Sequence, residues 1–128
     1  MARILVVDDE RDVVLLIKFM LEKDGHAVLS AHDGAEALAR MGIEPRDETV
    51  PPPDLAILDV MMPVLDGWAV CTRMREDPRT AAVPVIVLTA KGEMKDLFNS
   101  ATSVAAHLEK PFDPKALREL VAGMTGGR

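Results

Sequence analysis

Acidic, hydroxyl and basic side chains follow the apolar, strand-like segments of this chain. Asp8 and Asp9 come directly after the first segment, and Asp59 follows the third. Thr89 follows the fourth, and the short fifth segment runs into Lys110. Three carboxylates that lie together repel one another unless a cation lies among them, so the grouping predicts a hard divalent cation with oxygen ligands, with Mg²⁺ as the expected ion. Asp59 would then be an ionised nucleophile for a phosphoryl group.

Each of these residues has a simpler interpretation when it is taken alone. An acidic pair after a strand often forms a turn and a helix N-cap, and Asp59 could likewise form a turn. Thr89 could cap the next helix, and Lys110 could be a solvated side chain before a proline turn. The functional interpretation therefore depends on all of them meeting at one end of one sheet.

The segments that must position these residues alternate between strand and helix patterns. Apolar runs rich in branched residues predict buried parallel strands, and two weaker runs predict two more: Ile4–Val7, Leu55–Leu58 and Val83–Leu88, then His26–Ala31 and Ala105–Leu108. Strand and helix alternate five times, which predicts a single-domain α/β fold with an open, doubly wound parallel sheet and helices on both faces. In such sheets ligands bind outside the carboxyl ends of the strands.

The intervals between the strands carry helical patterns. Two apolar faces are formed by Val13, Ile17, Met20 and Leu21, and by Leu117, Leu120, Val121 and Met124. Asp33 with Glu36 resembles a capping box, and Asp113-Pro114 suits a helix start. A third helix is predicted over Asp66–Glu76, with Trp68, Cys71 and Met74 on its inner side. The helical signal is weakest between Gly92 and Ser100.

Composition narrows the class of protein. The chain has 128 residues, 48% of them hydrophobic and 28% charged, which is enough for one domain with a real core. Its net charge of −6 disfavours direct binding to nucleic acid. The single cysteine, Cys71, excludes an internal disulfide, and neither a signal peptide nor a membrane span is evident. A cytoplasmic location without membrane contact is the expectation.

Five motifs, in this order, resemble those of the receiver domains of bacterial response regulators: Val6-Val7-Asp8-Asp9-Glu10, Leu58-Asp59-Val60-Met61-Met62-Pro63, Asp66-Gly67, Leu88-Thr89-Ala90 and Lys110-Pro111-Phe112. The resemblance runs from about Arg3 to about Val121. We therefore assign residues 1–124 to a receiver domain and 125–128 to a short tail. The resemblance implies a flavodoxin-like sheet with strand order 2-1-3-4-5.

The same resemblance implies a role for each acidic residue. Asp59 would be the phosphoacceptor, and a phosphohistidine on a histidine kinase or phosphotransfer protein would be the donor. Asp9 would bind Mg²⁺ directly and Asp8 chiefly through water, with the backbone carbonyl of Met61 as a further ligand. The chain would then be a signalling domain that assists its own phosphorylation rather than an enzyme with a separate substrate.

Switching is also implied by the resemblance. Thr89 and Lys110 would contact the phosphoryl group, and Thr89 would move inward and draw the side chain three residues before Lys110 after it. That position holds His107, where the family usually has Tyr or Phe. The surface formed by the last strand and the two helices beside it would change for a downstream partner, and dimerisation through this surface is left open.

Other functions are weighed by what they would require. A phosphatase of the haloacid dehalogenase type needs a second aspartate two residues after the nucleophile, where this chain has Met61. A flavin carrier needs a phosphate-binding loop after the first strand, where Asp8, Asp9 and Glu10 would repel phosphate. A degenerate receiver that serves only as a protein-docking module is the alternative that remains. Ser103-Val104 replaces the family's usual Gly-Ala pair, so partner choice is the least determined property.

For His107 the sequence leaves two interpretations, a ring that swings on phosphorylation and a half-exposed side chain without a switching role. If the ring swings, His107→Ala keeps phosphorylation of the chain but weakens binding of the downstream partner to the phosphorylated form. A binding titration of the phosphorylated variant and wild type measures the difference. Unchanged partner binding would remove His107 from the mechanism.

Overall fold

Short runs of branched, apolar residues form the strands of this protein, and amphipathic segments between them form its helices. The computed structural model describes residues 2–62, 65–90 and 104–126. Its elements, in chain order, are β1 (Arg3–Val7), α1 (Arg11–Lys23), β2 (Ala27–Ala31), α2 (Gly34–Arg40), β3 (Leu55–Asp59), α3 (Gly67–Glu76), β4 (Val85–Ala90), β5 (Val104–Lys110) and α4 (Pro114–Met124). The helix predicted between Gly92 and Ser100, and the substitution at Ser103, lie outside the described residues.

The five strands form one parallel sheet in the order β2-β1-β3-β4-β5. The predicted α/β class, parallel sheet and strand order are confirmed. β4 begins at Val85, two residues later than predicted, and β5 is longer than predicted. The β4–β5 register shifts between Val85 and Ile86, which is a bulge that simple alternation in the sequence does not reveal.

Helices cover both faces of the sheet, as predicted for a doubly wound fold. One face packs α1 and α4 against alternate strand residues, including Ile4, Val6, Leu55, Ile57, Ile86 and Leu88. The other face packs α2 and α3 against the residues between them, including Leu5, Val7, Ala56, Leu58, Val85 and Val87. Because β1, β3 and β4 are buried on both sides, their sequences are apolar without alternation. None of the helices in the described ranges has the length and hydropathy needed to cross a bilayer.

The helix faces agree with the apolar patterns, with one adjustment in α1. Ile17, Met20 and Leu21 are buried there as predicted, but Val14 is fully packed while Val13 is only partly buried. In α4, Leu117 and Val121 are buried and the two other predicted residues pack at the edge of the same cluster. In α3, Cys71 and Met74 are buried and Trp68 is half-buried, so the predicted inner side is correct.

Side-chain caps predicted from the sequence fix where α2 and α4 begin. The Asp33 carboxylate accepts a hydrogen bond from the Glu36 amide at 2.7 Å, and the Glu36 carboxylate accepts one from the His32 amide at 2.8 Å. This is the predicted capping box, with its return bond displaced by one residue. Asp113 accepts a hydrogen bond from the Lys115 amide at 3.0 Å, and proline occupies the first turn of α4.

The start of α3 packs directly against the end of β3. Asp66 caps the helix by accepting a hydrogen bond from the Ala69 amide at 2.8 Å, and the Gly67 amide donates to the carbonyl of Val60 at 3.0 Å. A Cβ atom at Gly67 would lie only 2.5 Å from the carbonyl oxygen of Asp59. Glycine at this position therefore lets the helix approach the backbone that carries Asp59.

Replacing Gly67 by alanine should destabilise the protein, because the added methyl group must displace the backbone of β3. We expect a loss of roughly 1–3 kcal/mol in the free energy of unfolding, measured by urea denaturation. Gly123→Ala in α4 is the matched control, since nothing lies within 4 Å of a Cβ atom there and alanine favours a helix. Equal stability of Gly67→Ala and wild type would contradict this account of the close approach.

Candidate functional site

The first two acidic residues of the site differ in their exposure to solvent. Asp8 directly follows β1 and is fully buried, whereas the next residue, Asp9, is exposed. The Asp8 amide donates to the carbonyl of Ala31 at 3.2 Å, and Asp8 Oδ1 accepts a hydrogen bond from the Glu10 amide at 2.9 Å. These bonds fix the Asp8 carboxylate at the carboxyl edge of the sheet and leave Asp9 at the mouth of the site.

Asp59, the last residue of β3, is buried beside Asp8. Asp59 Oδ1 accepts a hydrogen bond from the Met61 amide at 3.3 Å, and only 5% of the Asp59 surface is exposed. Burial is the main cause that raises the pKa of Asp59 to about 7, and the Asp8 carboxylate raises it further. Lys110 and the Met61 amide act in the opposite direction without cancelling the rise. In the absence of a further cation, this carboxyl group therefore holds a proton in mildly acidic solution.

Lys110, the last residue of β5, brings its ammonium group among the carboxylates. Its Nζ lies 2.7 Å from Asp8 Oδ2, 3.0 Å from Glu10 Oε1 and 3.4 Å from Asp59 Oδ2. Burial by itself lowers the pKa of Lys110, but the contacts with Asp8 and Glu10 and the charge of Asp59 outweigh it and raise the pKa above its usual value. The ammonium group therefore stays charged at the site.

The carboxylates lie close enough together to share a cation of the predicted kind. Oxygen atoms of Asp8, Asp9 and Asp59 all lie within 4.8 Å of one another. Asp8 Oδ2 is buried and, among the described residues, has no donor in hydrogen-bond geometry, although the Lys110 ammonium is close to it. An all-oxygen donor set with an excess of negative charge fits Mg²⁺ or another hard divalent ion. Asp8, Asp9 and Asp59, which the sequence predicted as ligands, are thus compatible with the ion. The backbone carbonyl of Met61 stays a predicted ligand.

Thr89 lies on β4, the strand beside Asp59, and His107 lies on β5, the next strand of the sheet. Leu88, next to Thr89, pairs with Asp59, and the buried Thr89 hydroxyl donates to the carbonyl of Leu108 on β5 at 3.4 Å. His107 is half-buried and pairs with Val87. Leu108 packs on the α1 and α4 face, so strand alternation places His107 on the opposite face, which Val87 and Thr89 share.

Sequence reasoning missed one member of this cluster. Glu10 was noted as the residue after the acidic pair and as part of a loop that would repel phosphate, but no contact with Lys110 was predicted. Its carboxylate accepts a hydrogen bond from Lys110 at 3.0 Å. The two residues are 100 positions apart, and neither the helical nor the strand pattern pairs them. The only available signal was the third consecutive acidic residue at the start of α1.

Comparison with known proteins identifies relatives over nearly the whole chain. Residues 4–122 match the family model described as the response regulator receiver domain. The chain is 38% identical to the alkaline phosphatase synthesis transcriptional regulatory protein PhoP of Bacillus subtilis, over 93% of this chain but only 46% of PhoP. It is 34% identical to the protein PilH of Pseudomonas aeruginosa, over 99% of this chain and 100% of PilH.

A solved structure is similar in both fold and sequence. The receiver domain of the sensor histidine kinase PA1611 from Pseudomonas aeruginosa superposes with a TM-score of 0.80 and 28% identity, and 98% of each chain is covered. That structure is described with a magnesium ion coordinated in its active site cleft. This structural similarity covers nearly the whole chain and supports the strand order of the sheet.

The raised pKa of Asp59 predicts a characteristic dependence of stability on pH in metal-free protein. The folded state keeps the Asp59 proton up to about pH 7, whereas the unfolded chain releases it above about pH 4. The folded state therefore binds more protons than the unfolded chain across this window. The contribution of Asp59 to the stability of the protein falls as the pH rises from about 4 to about 7. Asp59→Asn removes this loss, so in EDTA at pH 8 the variant should be more stable than wild type by roughly 1–3 kcal/mol.

Urea denaturation at several pH values, with EDTA and with Mg²⁺, measures this effect. Mg²⁺ should stabilise wild type at pH 8 more than it stabilises Asp59→Asn, because the ion binds the ionised carboxylate of the folded state. A wild-type stability curve that runs parallel to that of Asp59→Asn between pH 4 and pH 8 would show that the carboxyl group is not perturbed.

Proposed function

Because the chain belongs to the response regulator receiver domain family, we propose that it accepts a phosphoryl group on Asp59 and acts as a phosphorylation-dependent signalling domain. The observation that carries the proposal is the buried Asp59 carboxylate with the Lys110 ammonium 3.4 Å away. A lone buried carboxylate is a poor acceptor for an anionic group, and a fixed positive charge beside it offsets the repulsion. The donor would be a phosphohistidine on a histidine kinase or phosphotransfer protein.

The proposed reaction is an in-line displacement at phosphorus. A carboxylate oxygen of Asp59 forms a bond to phosphorus while the bond from phosphorus to the donor nitrogen breaks, and the electron pair of that bond stays on the donor imidazole. Lys110 is placed to neutralise an oxygen of the transferred group, and the Thr89 hydroxyl would donate a hydrogen bond to another. The chain's contribution is mainly positioning and charge stabilisation.

A divalent cation completes this proposal. Asp9 would hold Mg²⁺ directly, Asp8 chiefly through water, and the Asp59 carboxylate and the Met61 carbonyl would be further ligands. When bound, the ion supplies positive charge that keeps Asp59 ionised and screens the incoming phosphoryl oxygens. The close grouping of the Asp8, Asp9 and Asp59 carboxylate oxygens supports the assignment, as does the magnesium in the related receiver structure.

Thr89 and His107 are the proposed switch. The Thr89 hydroxyl donates to the Leu108 carbonyl in this structure, so contact with a phosphoryl group on Asp59 requires this bond to be exchanged. His107 lies on the same face of the sheet as Thr89, which supports a movement of its ring into space that the threonine leaves. The exchange would pass a local electrostatic change to β5 and to the surface beside it.

The output of the protein is the least constrained part of the proposal. The chain spans 46% of the length of PhoP and the full length of PilH, so the relatives include both long and short proteins. We propose a receiver domain over residues 1–124 with a tail over 125–128, and a downstream protein partner that binds the changed surface. Dimerisation through that surface stays a prediction, and so does the alternative of a docking module without phosphorylation.

Labelling by acetyl phosphate with Mg²⁺ tests the proposal. Wild type should gain one phosphoryl group, visible by phosphate-affinity electrophoresis and intact mass, and EDTA should abolish the gain. Asp59→Asn should remove the label completely, because an amide oxygen is a far weaker nucleophile than a carboxylate.

Asp54→Asn is the matched control, because Asp54 directly precedes β3, at the end of the strand opposite to Asp59, and accepts a hydrogen bond from the Arg3 amide. This variant should be labelled like wild type. A wild-type chain that gains no label, with its fold intact, would overturn phosphoacceptance and favour the docking module. Label that persists in Asp59→Asn would place the acceptor elsewhere.

A further inference from the structure

Glu10 is the N-cap residue of α1 but does not cap the helix. Glutamate is not among the residues favoured at this position, where a short side chain accepts a hydrogen bond from the first turn. Among the described residues the Glu10 side chain makes no such capping bond. Its carboxylate accepts a hydrogen bond from the Lys110 ammonium at 3.0 Å instead. The side chain is therefore directed to the site rather than to its own helix.

The position of Glu10 is fixed by the same groups that form the site. Asp8 Oδ1 accepts a hydrogen bond from the Glu10 amide at 2.9 Å, and Asp8 Oδ2 lies 2.7 Å from the Lys110 Nζ. Asp8, Glu10 and Lys110 thus form a closed ring of contacts between the segment after β1 and the end of β5. The Glu10 side chain is 62% exposed, whereas Asp8 and Asp59 are buried, so Glu10 forms the solvent side of this ring.

We infer that Glu10 is a positioning residue that acts through Lys110: its carboxylate competes with the phosphoryl group for the ammonium and so opposes the phosphorylated state. The inference rests on the proposed phosphoacceptor function. An ammonium has only three donor hydrogens, and a carboxylate at 3.0 Å takes one of them. A phosphoryl group bound to Asp59 must share Lys110 with this carboxylate, whose charge also repels the phosphoryl oxygens.

The contacts of Lys110 with Asp8 and Asp59 determine how removal of the Glu10 charge affects the phosphorylated state. Without the Glu10 charge, Lys110 keeps its contacts with the buried Asp8 and with Asp59, so the ammonium stays at the site. Glu10→Gln keeps the size of the side chain and removes the charge. Its effect on the phosphorylated state should therefore be favourable, and it should be screened by salt because Glu10 is exposed.

A titration with beryllofluoride, a stable mimic of the phosphoryl group, tests the inference at saturating Mg²⁺ for each variant. Binding is followed by the fluorescence of Trp68, which follows Gly67 in α3. At low ionic strength, Glu10→Gln should bind beryllofluoride about three- to tenfold more tightly than wild type, and the gain should shrink at high ionic strength. A merely structural role for Glu10 would not produce this salt dependence.

Glu22→Gln is the matched control, because it removes the same charge from the other end of α1, where Glu22 pairs only weakly with Lys18 at 3.9 Å. Its affinity should stay within about twofold of wild type. Equal or weaker binding by Glu10→Gln, or a gain that Glu22→Gln shares, would overturn the inference while leaving the phosphoacceptor proposal intact. A wild type that binds no beryllofluoride with Mg²⁺ would instead count against the proposed function itself.

Discussion

The charge balance around the Lys110 ammonium is the interaction on which the site depends. Two carboxylates, Asp8 and Asp59, are buried within 3.4 Å of it, and the exposed carboxylates of Asp9 and Glu10 add further negative charge beside them. Burial strengthens the interactions among Asp8, Asp59 and Lys110, because water screens them less there. Burial is the main cause of the raised pKa of Asp59, and the neighbouring Asp8 carboxylate adds to it. One ammonium does not balance this many carboxylates, and this imbalance supports the affinity for a divalent cation that we propose. In the proposed function, the same imbalance makes the site responsive to a phosphoryl group.

The parallel sheet brings the residues of the site together. Parallel strands end at the same edge, so residues from β1, β3 and β5 meet without any long loop to bring them together. Gly67 lets α3 lie against the backbone of Asp59, which limits how that strand end can move. On the other side, the Thr89 hydroxyl donates a hydrogen bond to the carbonyl of Leu108 and so joins β4 to β5. In the proposed function, a phosphoryl group on Asp59 competes for this hydroxyl.

Much of the fold follows from local patterns. Branched apolar runs predicted all five strands, and a parallel arrangement follows from the helices between them. The capping box at Asp33 and Glu36, and the proline start of α4, were evident because short-range hydrogen bonds within one turn are determined by adjacent residues. The bulge beside Val85 and the burial of Val14 in place of Val13 were not evident, because packing against other elements decides them. The strand order itself came from resemblance rather than from any single strand.

For the site, the sequence determined which groups exist and at which strand ends they lie: Asp8, Asp59 and Lys110 each follow an apolar run, and parallel topology brings those ends together. Tertiary structure alone decided that Asp8 is buried while Asp9 faces water, and that Glu10 contacts Lys110 across 100 residues of chain. The physical reason is that residue type and spacing determine where each strand begins and ends, and therefore which residues lie at the carboxyl edge of the sheet. The depth of a carboxylate and the partner of a long side chain depend instead on how separate segments pack.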